Sequence, residues 1–145
     1  MAGYSSTPLW KKLGVRAGSS LLLLDAPPGW SVPDMPEGVV SSVESSPEAH
    51  AAPVDVVIAF NTALKDLSRN LPPLGRRIFP AGALWVAWPR RAAGHESDIR
   101  EQDIRTVALP LGLVDVKVAA LDQDWSGLRL VWRKELRQAS PATPG

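Results

Sequence analysis

Residues Ile78 to Arg91 read IFPAGALWVAWPRR, a Pro-x-Gly turn feeding a short apolar strand that stops at Trp88-Pro89 and a basic pair. Upstream lies a second apolar run, Val54 to Phe60, with about one helix's worth of residues between the two. A strand, a helix and a strand in that order make a right-handed crossover between parallel neighbours. Parallel sheets are covered on both faces, so these runs constrain the chain to an α/β architecture.

The rest of the chain extends this pattern. Thr7-Pro8 reads as an N-cap and first-turn proline, and Gly14 closes a short helix carrying Leu9, Trp10 and Leu13. Ser20 to Leu24 contains four leucines without alternation, the mark of a strand covered on both faces. The segment Asp25 to Gly38 holds Pro27, Pro28, Pro33 and Pro36, which excludes a full helix after that strand. Val39 to Val43 reads as a second short strand, and Glu44 to Pro53 as a polar loop containing His50.

After Phe60, Asn61 or Thr62 is expected to cap a helix whose stripe is Leu64, Leu67, Leu71, Leu74 and Ile78. Pro72-Pro73 predicts two helical pieces, because an interior proline costs about 3 kcal/mol. Beyond the strand Ala83 to Trp88, Asp98 with Glu101 predicts a capped helix with Ile104, Val107, Ala108 and Leu111 inward, ended by Pro110 and Gly112. Val114, Val116 and Val118, then Leu128, Leu130 and Trp132, alternate with polar residues around Asp122 to Gly127. That period of two predicts an antiparallel hairpin at the sheet edge.

The expected architecture is thus a single α/β domain over residues 1–137, a mostly parallel sheet of about six strands with a C-terminal antiparallel hairpin. Residues 138–145, QASPATPG, read as a disordered tail. At 145 residues such a domain buries about two-thirds of its unfolded surface. Sixteen Lys and Arg against fifteen Asp and Glu leave no global field favouring nucleic acid or an anionic membrane. Cysteine is absent, which removes thiolate nucleophiles and cysteine-ligated metals. With no run of about eighteen apolar residues and no signal-like N-terminus, the expectation is a cytoplasmic chain.

The order of elements resembles the Rossmann-like fold of the class I methyltransferases with its first half pared down. The strand ending in Asp25 matches their first strand, DVVIAF the fourth, PAGALWVAW the fifth and the hairpin the sixth and seventh. In that family a glycine-rich turn and a helix N-terminus after the first strand lie beside S-adenosylmethionine. Here the turn is Asp25-Ala26-Pro27-Pro28-Gly29-Trp30, so the resemblance implies a scaffold without the usual cradle, and no cofactor is expected. Glu44 stands roughly where an acidic residue would hold ribose hydroxyls.

More specifically, GYSSTPLWKKLG, DVVIAF, FPAGALWVAWPRR, SDIREQDIR, ALPLGLVDVKVAALD and WSGLRLVWR, in order over most of residues 3–133, resemble a bacterial domain-of-unknown-function family, number 3052. Arg90 and Arg91 stand where that family commonly has lysines, and Ala119 where it often has cysteine. The resemblance implies a Rossmann-like fold and supplies no catalytic residues.

Open parallel sheets bind ligands beyond the carboxyl ends of their strands, where strand order reverses. That places Asp25, Asn61 and Thr62 at the crevice, with Trp88, Arg90 and Arg91 beside them. The amide and carboxylate suit hydroxyls or amines, and the arginines a carboxylate or phosphate. His50 and His95 show no metal-ligand spacing, Asp122 and Asp124 read as turn formers, and no metal site is expected. The functional expectation is a non-catalytic ligand-sensing or partner-binding module, with a homodimer as one arrangement. The alternative is an S-adenosylmethionine-dependent methyltransferase-like enzyme. A third reading, single-stranded nucleic-acid binding, rests on Trp10, Trp88 and Trp132, each followed by basic residues.

Overall fold

The apolar runs form the middle of one six-stranded sheet. In the computed structural model, which describes residues 7–45, 53–90 and 97–138, the strands are β1 (Ser20–Leu24), β2 (Val40–Glu44), β3 (Val56–Phe60), β4 (Ala83–Pro89), β5 (Leu113–Ala120) and β6 (Trp125–Trp132). Their order is β2-β1-β3-β4-β6-β5. β1 pairs in parallel with β2 and β3, and β3 with β4, while β6 runs antiparallel between β4 and β5. The chain leaves β1 towards β2 on one side and returns to β3 on the other, so strand order reverses between β1 and β3.

Alternation along the strands divides the core in two. Leu22, Leu24, Val57, Ala59, Leu84, Val86, Leu128 and Leu130 face α2 (Leu64–Ile78) and α3 (Glu101–Ala108). Leu21, Leu23, Val56, Ile58, Trp85 and Ala87 face α1 (Leu9–Leu13) together with Trp30, Val32 and Met35 of the proline-rich segment. Each fully buried leucine contributes about 1.5–3 kcal/mol. Trp85 also ties α1 to the sheet, its Nε1 donating to the Leu13 carbonyl at 3.0 Å.

Four sequence expectations change. α2 is one continuous helix through Pro72 and Pro73. The prolines cannot donate to the carbonyls of Ser68 and Arg69, two exposed residues, while Leu67, Leu71, Leu74 and Ile78 are all buried and hold the helix on the sheet. Neither Asn61 nor Thr62 caps it: Ala63 is the N-cap residue, and the first-turn amide of Leu64 donates to Asp98 Oδ1 at 2.7 Å. Asp98 thus caps α2 from 34 residues away instead of opening α3. That helix starts at Glu101, where Asp103 accepts the Arg100 amide at 3.0 Å. At the N-terminus, Pro8, not Thr7, holds the N-cap position of α1.

The hairpin forms, but a bulge between Asp115 and Lys117 breaks the alternation, because an extra residue shifts every later side chain to the other face. Val116 and Val118 are consequently exposed. At the other edge β2 is largely uncovered, with Val40 69% and Val43 70% exposed. After β6 the chain makes a 3-10 turn over Lys134–Gln138. Residues 139–145 lie outside the described ones, as do His50, Arg91 and His95.

Candidate functional site

A crevice opens above the carboxyl ends of β1 and β3, at the reversal in strand order, with a volume of about 380 Å³. Its floor follows directly from how the two strands end. Asp25 leaves β1 in a left-handed conformation, φ 58°, while its amide still donates to the Glu44 carbonyl at 2.9 Å. Asn61 leaves β3 only 6% exposed. Its backbone amide donates to Ala87 and its Nδ2 to the Ala59 carbonyl at 3.0 Å, which leaves the side-chain oxygen for the crevice. Thr62 follows, exposed on the rim.

The walls come from α2 and from the hairpin. Asp66 and Arg69 of α2 line one side and pair with each other at 2.8 Å. Loss of hydration, and then the charge of Asp66, raise the Asp25 carboxyl above its ordinary value. Two carboxylates that repel each other favour a cation between them or a proton on one. Opposite stands Trp125, edge-on to Phe60 with centroids 4.9 Å apart, and Phe60 is in turn edge-on to Trp30 at 4.9 Å. Trp30 Nε1 donates to Asp122 Oδ2 at 2.8 Å, so the proline-rich segment after β1 is fastened to the β5–β6 turn. Asp122 Oδ1 also accepts the amides of Asp124 and Trp125 at 2.8 Å each, the turn-forming role its spacing suggested.

Of the predicted site residues, Asp25, Asn61 and Thr62 meet at the crevice. Trp88 does not: it is 9% exposed and packs in the α2 and α3 half of the core, because Leu84, Val86 and Trp88 alternate onto one face. Arg90 is drawn to the hairpin turn, its amide donating to Asp124 O at 2.8 Å and its Nη1 to Asp122 O at 3.1 Å. Arg91 lies outside the described residues. Among the described residues the cation lining the crevice is Arg69, and the aromatic wall is Trp125. Asp66-x-x-Arg69 at the start of the helix after a strand end was the available signal for the first; the second depends on contacts that sequence spacing does not show.

Glu44 does not face the crevice as a free acid. Its Oε1 accepts from Arg77 Nη1 at 3.2 Å, a guanidinium 4% exposed. Of the six tryptophans, Trp85 and Trp88 are buried and Trp10, Trp30, Trp125 and Trp132 half-buried. Among the described residues no group of three or more potential metal ligands gathers, and no helix is long and apolar enough to cross a membrane.

No protein-family model and no curated protein matches the chain. Solved structures do resemble it. An S-adenosylmethionine-dependent methyltransferase from Aquifex aeolicus superposes with TM-score 0.56 and 12% identity over 84% of this chain and 86% of that one. A fibrillarin/Nop5p complex gives 0.56 and 13% over 86% and 83%, and the ribosomal protein L11 methylase of Lactobacillus delbrueckii subsp. bulgaricus 0.56 and 8% over 86% and 75%. At such identities the likeness establishes the fold, a methyltransferase-like Rossmann architecture.

Proposed function

We propose that the crevice binds S-adenosylmethionine and that the chain is a reduced methyltransferase-like protein. The observation that carries this reading is the acid pair Asp25 and Asp66 beside the aromatic wall of Trp125, at the reversal point of a methyltransferase-like sheet. The residues present fit the cationic half of that ligand: the carboxylates would hold its positive charges, and Trp125, backed by Phe60, offers apolar surface to a flat base. Its ribose would meet Ser45 and Thr62, since Glu44 is engaged by Arg77. When bound, the group supplies an electrophilic methyl for transfer to a nucleophile. Asn61, bonded to the Ala87 and Ala59 carbonyls of β4 and β3, orients an acceptor oxygen, and Arg69 positions Asp66 through their ion pair.

A second reading, ligand sensing without catalysis, is favoured by the segment 25–39, which has no helix behind the turn after β1 and so contributes no helix N-terminus of its own to the crevice. Membership of family 3052 belongs to the same proposal and rests on the sequence words quoted above. So does a cytoplasmic setting, supported by the absence of cysteine.

Calorimetric titration with S-adenosylmethionine and S-adenosylhomocysteine tests the proposal. Saturable binding weakened at least about tenfold by Asp25→Asn is the expected result, since a charge-assisted contact contributes about 1.5–3 kcal/mol. Absence of saturation with either compound at millimolar concentration would overturn it. Binding without methyl transfer to any offered nucleophile would leave the sensing reading.

A further inference from the structure

At the opposite end of the sheet, Arg129 is a guanidinium without a counter-ion among the described residues. It lies on β6 beside Trp85 of β4 and Lys117 of β5, on the face that carries α1. It lines a cleft of about 310 Å³ with Arg16, Gly18, Asp55 and Ala81, formed by the turn before β1 and the entries to β3 and β4. Gly14, at φ 84°, borders it, the Arg129 Nη2 lying 3.4 Å from where a Cβ would stand.

Three observations agree on what is missing. Arg129 Nε is buried and makes no hydrogen bond. The charge felt most by Arg129 is the like charge of Arg16, which together with burial, the larger effect, lowers the guanidinium's pKa from its usual value. The one acid lining the cleft, Asp55, turns its Oδ2 to the Ser20 amide at 2.9 Å and the Ser20 hydroxyl at 3.2 Å, and it forms no ion pair with either arginine. A partly desolvated guanidinium with no acceptor is costly, and two arginines lining one cleft make a setting that oxyanions fill. A second depression of about 260 Å³, between Val116, Val131 and Arg137, shares Arg129 and Ala81 with the first. The groove therefore has room for more than an isolated ion.

We propose that Arg129 and Arg16 form an oxyanion-binding site for a small ligand bearing a phosphate or carboxylate group, separate from the crevice at the carboxyl ends of the strands. The oxyanion accepts from the Arg129 fork in the cleft, and the remainder of the ligand lies along Ala81 towards Val116 and Val131. This site stands whether or not the crevice binds adenosylmethionine.

The arginine Nε–Hε resonances of the purified chain report it directly, titrated with inorganic phosphate and, separately, acetate at constant ionic strength in chloride. Saturable movement of the Arg129 signal is expected with at least one of them. Saturation by phosphate alone assigns a phosphate-bearing ligand, and by acetate alone a carboxylate. Arg16→Gln and Arg129→Gln should each weaken the response at least about tenfold, read for the latter through the Arg16 signal, while Arg76→Gln on the exposed side of α2 leaves it unchanged. Arg129→Met keeps the experiment interpretable: in anion-poor buffer it should melt no lower than the native chain, because it removes an uncompensated charge. An Arg129 signal that moves only in step with Arg76, or a response unchanged in both glutamine variants, would overturn the proposal. So would a marked loss of stability in Arg129→Met, which would make the guanidinium structural.

Discussion

Arg77 Nη1 donates to Glu44 Oε1 at 3.2 Å, joining the last turn of α2 to the end of the edge strand β2. The acid that family resemblance would assign to a ribose is thereby a structural anchor. β2 has little else to hold it beyond its ladder to β1, since four of its five residues are exposed. Arg77→Ala removes both the pair and the packing of a buried side chain. Breaking a fully buried pair costs about 3–5 kcal/mol, and Glu44 keeps part of its side chain in water. The expected loss is about 2–3 kcal/mol, measured by urea unfolding.

The cap that Asp98 places on α2 gives a second test. Loss of an N-terminal capping acceptor costs about 1 kcal/mol, so Asp98→Ala should lower Tm by about 3–4 °C in a domain of this size. Asp98→Asn, which keeps an acceptor oxygen, should lose less. If Asp98 instead served α3, hydrogen exchange would quicken at Glu101 to Ile104 and not at Leu64 to Leu67.

Gly127 permits the close approach of Trp85. A Cβ at this strand position would stand 2.9 Å from Trp85 Cε3 and 3.1 Å from Leu121 Cγ, and both side chains are buried. Gly127→Ala should therefore destabilise by about 1–3 kcal/mol through overpacking. Thermal melts, with the near-ultraviolet dichroism of the displaced indole, check both the magnitude and the cause.

Asp25 makes the crevice sensitive to pH. Its carboxyl is raised by lost hydration and by Asp66, so the folded chain holds this proton more tightly than the unfolded chain. The stabilising contribution is complete below the unfolded value and is lost as pH rises through the folded one. Asp25→Asn, which tolerates the left-handed conformation, should melt slightly above the native chain at neutral pH and equal it near about pH 3. In the native chain, affinity for a cationic ligand should rise with pH over the range in which Asp25 ionises.

The sequence carried the sheet and part of the crevice. Leu21 to Leu24, Val56 to Phe60 and Ala83 to Trp88 are apolar without interruption, as buried parallel strands are, while the reversal point between the first two came from the resemblance to the methyltransferase fold. Asp25, Asn61 and Thr62 were legible because they simply follow strand ends. What was not legible depends on contacts between distant residues. The Asp98 cap joins positions 34 apart, and four buried residues override the local cost of Pro72-Pro73 in α2. The bulge before Lys117 reverses an alternation that looked regular. Trp88 shows the other kind of miss: its alternation with Leu84 and Val86 was visible and outweighs its place near a strand end.

The most direct test of the crevice is a crystal structure of the chain grown with S-adenosylhomocysteine. Ligand density is expected between the ends of β1 and β3, in contact with Asp25, Asp66 and Trp125. A well-occupied ligand elsewhere on the surface, with that crevice filled only by solvent, would contradict this placement.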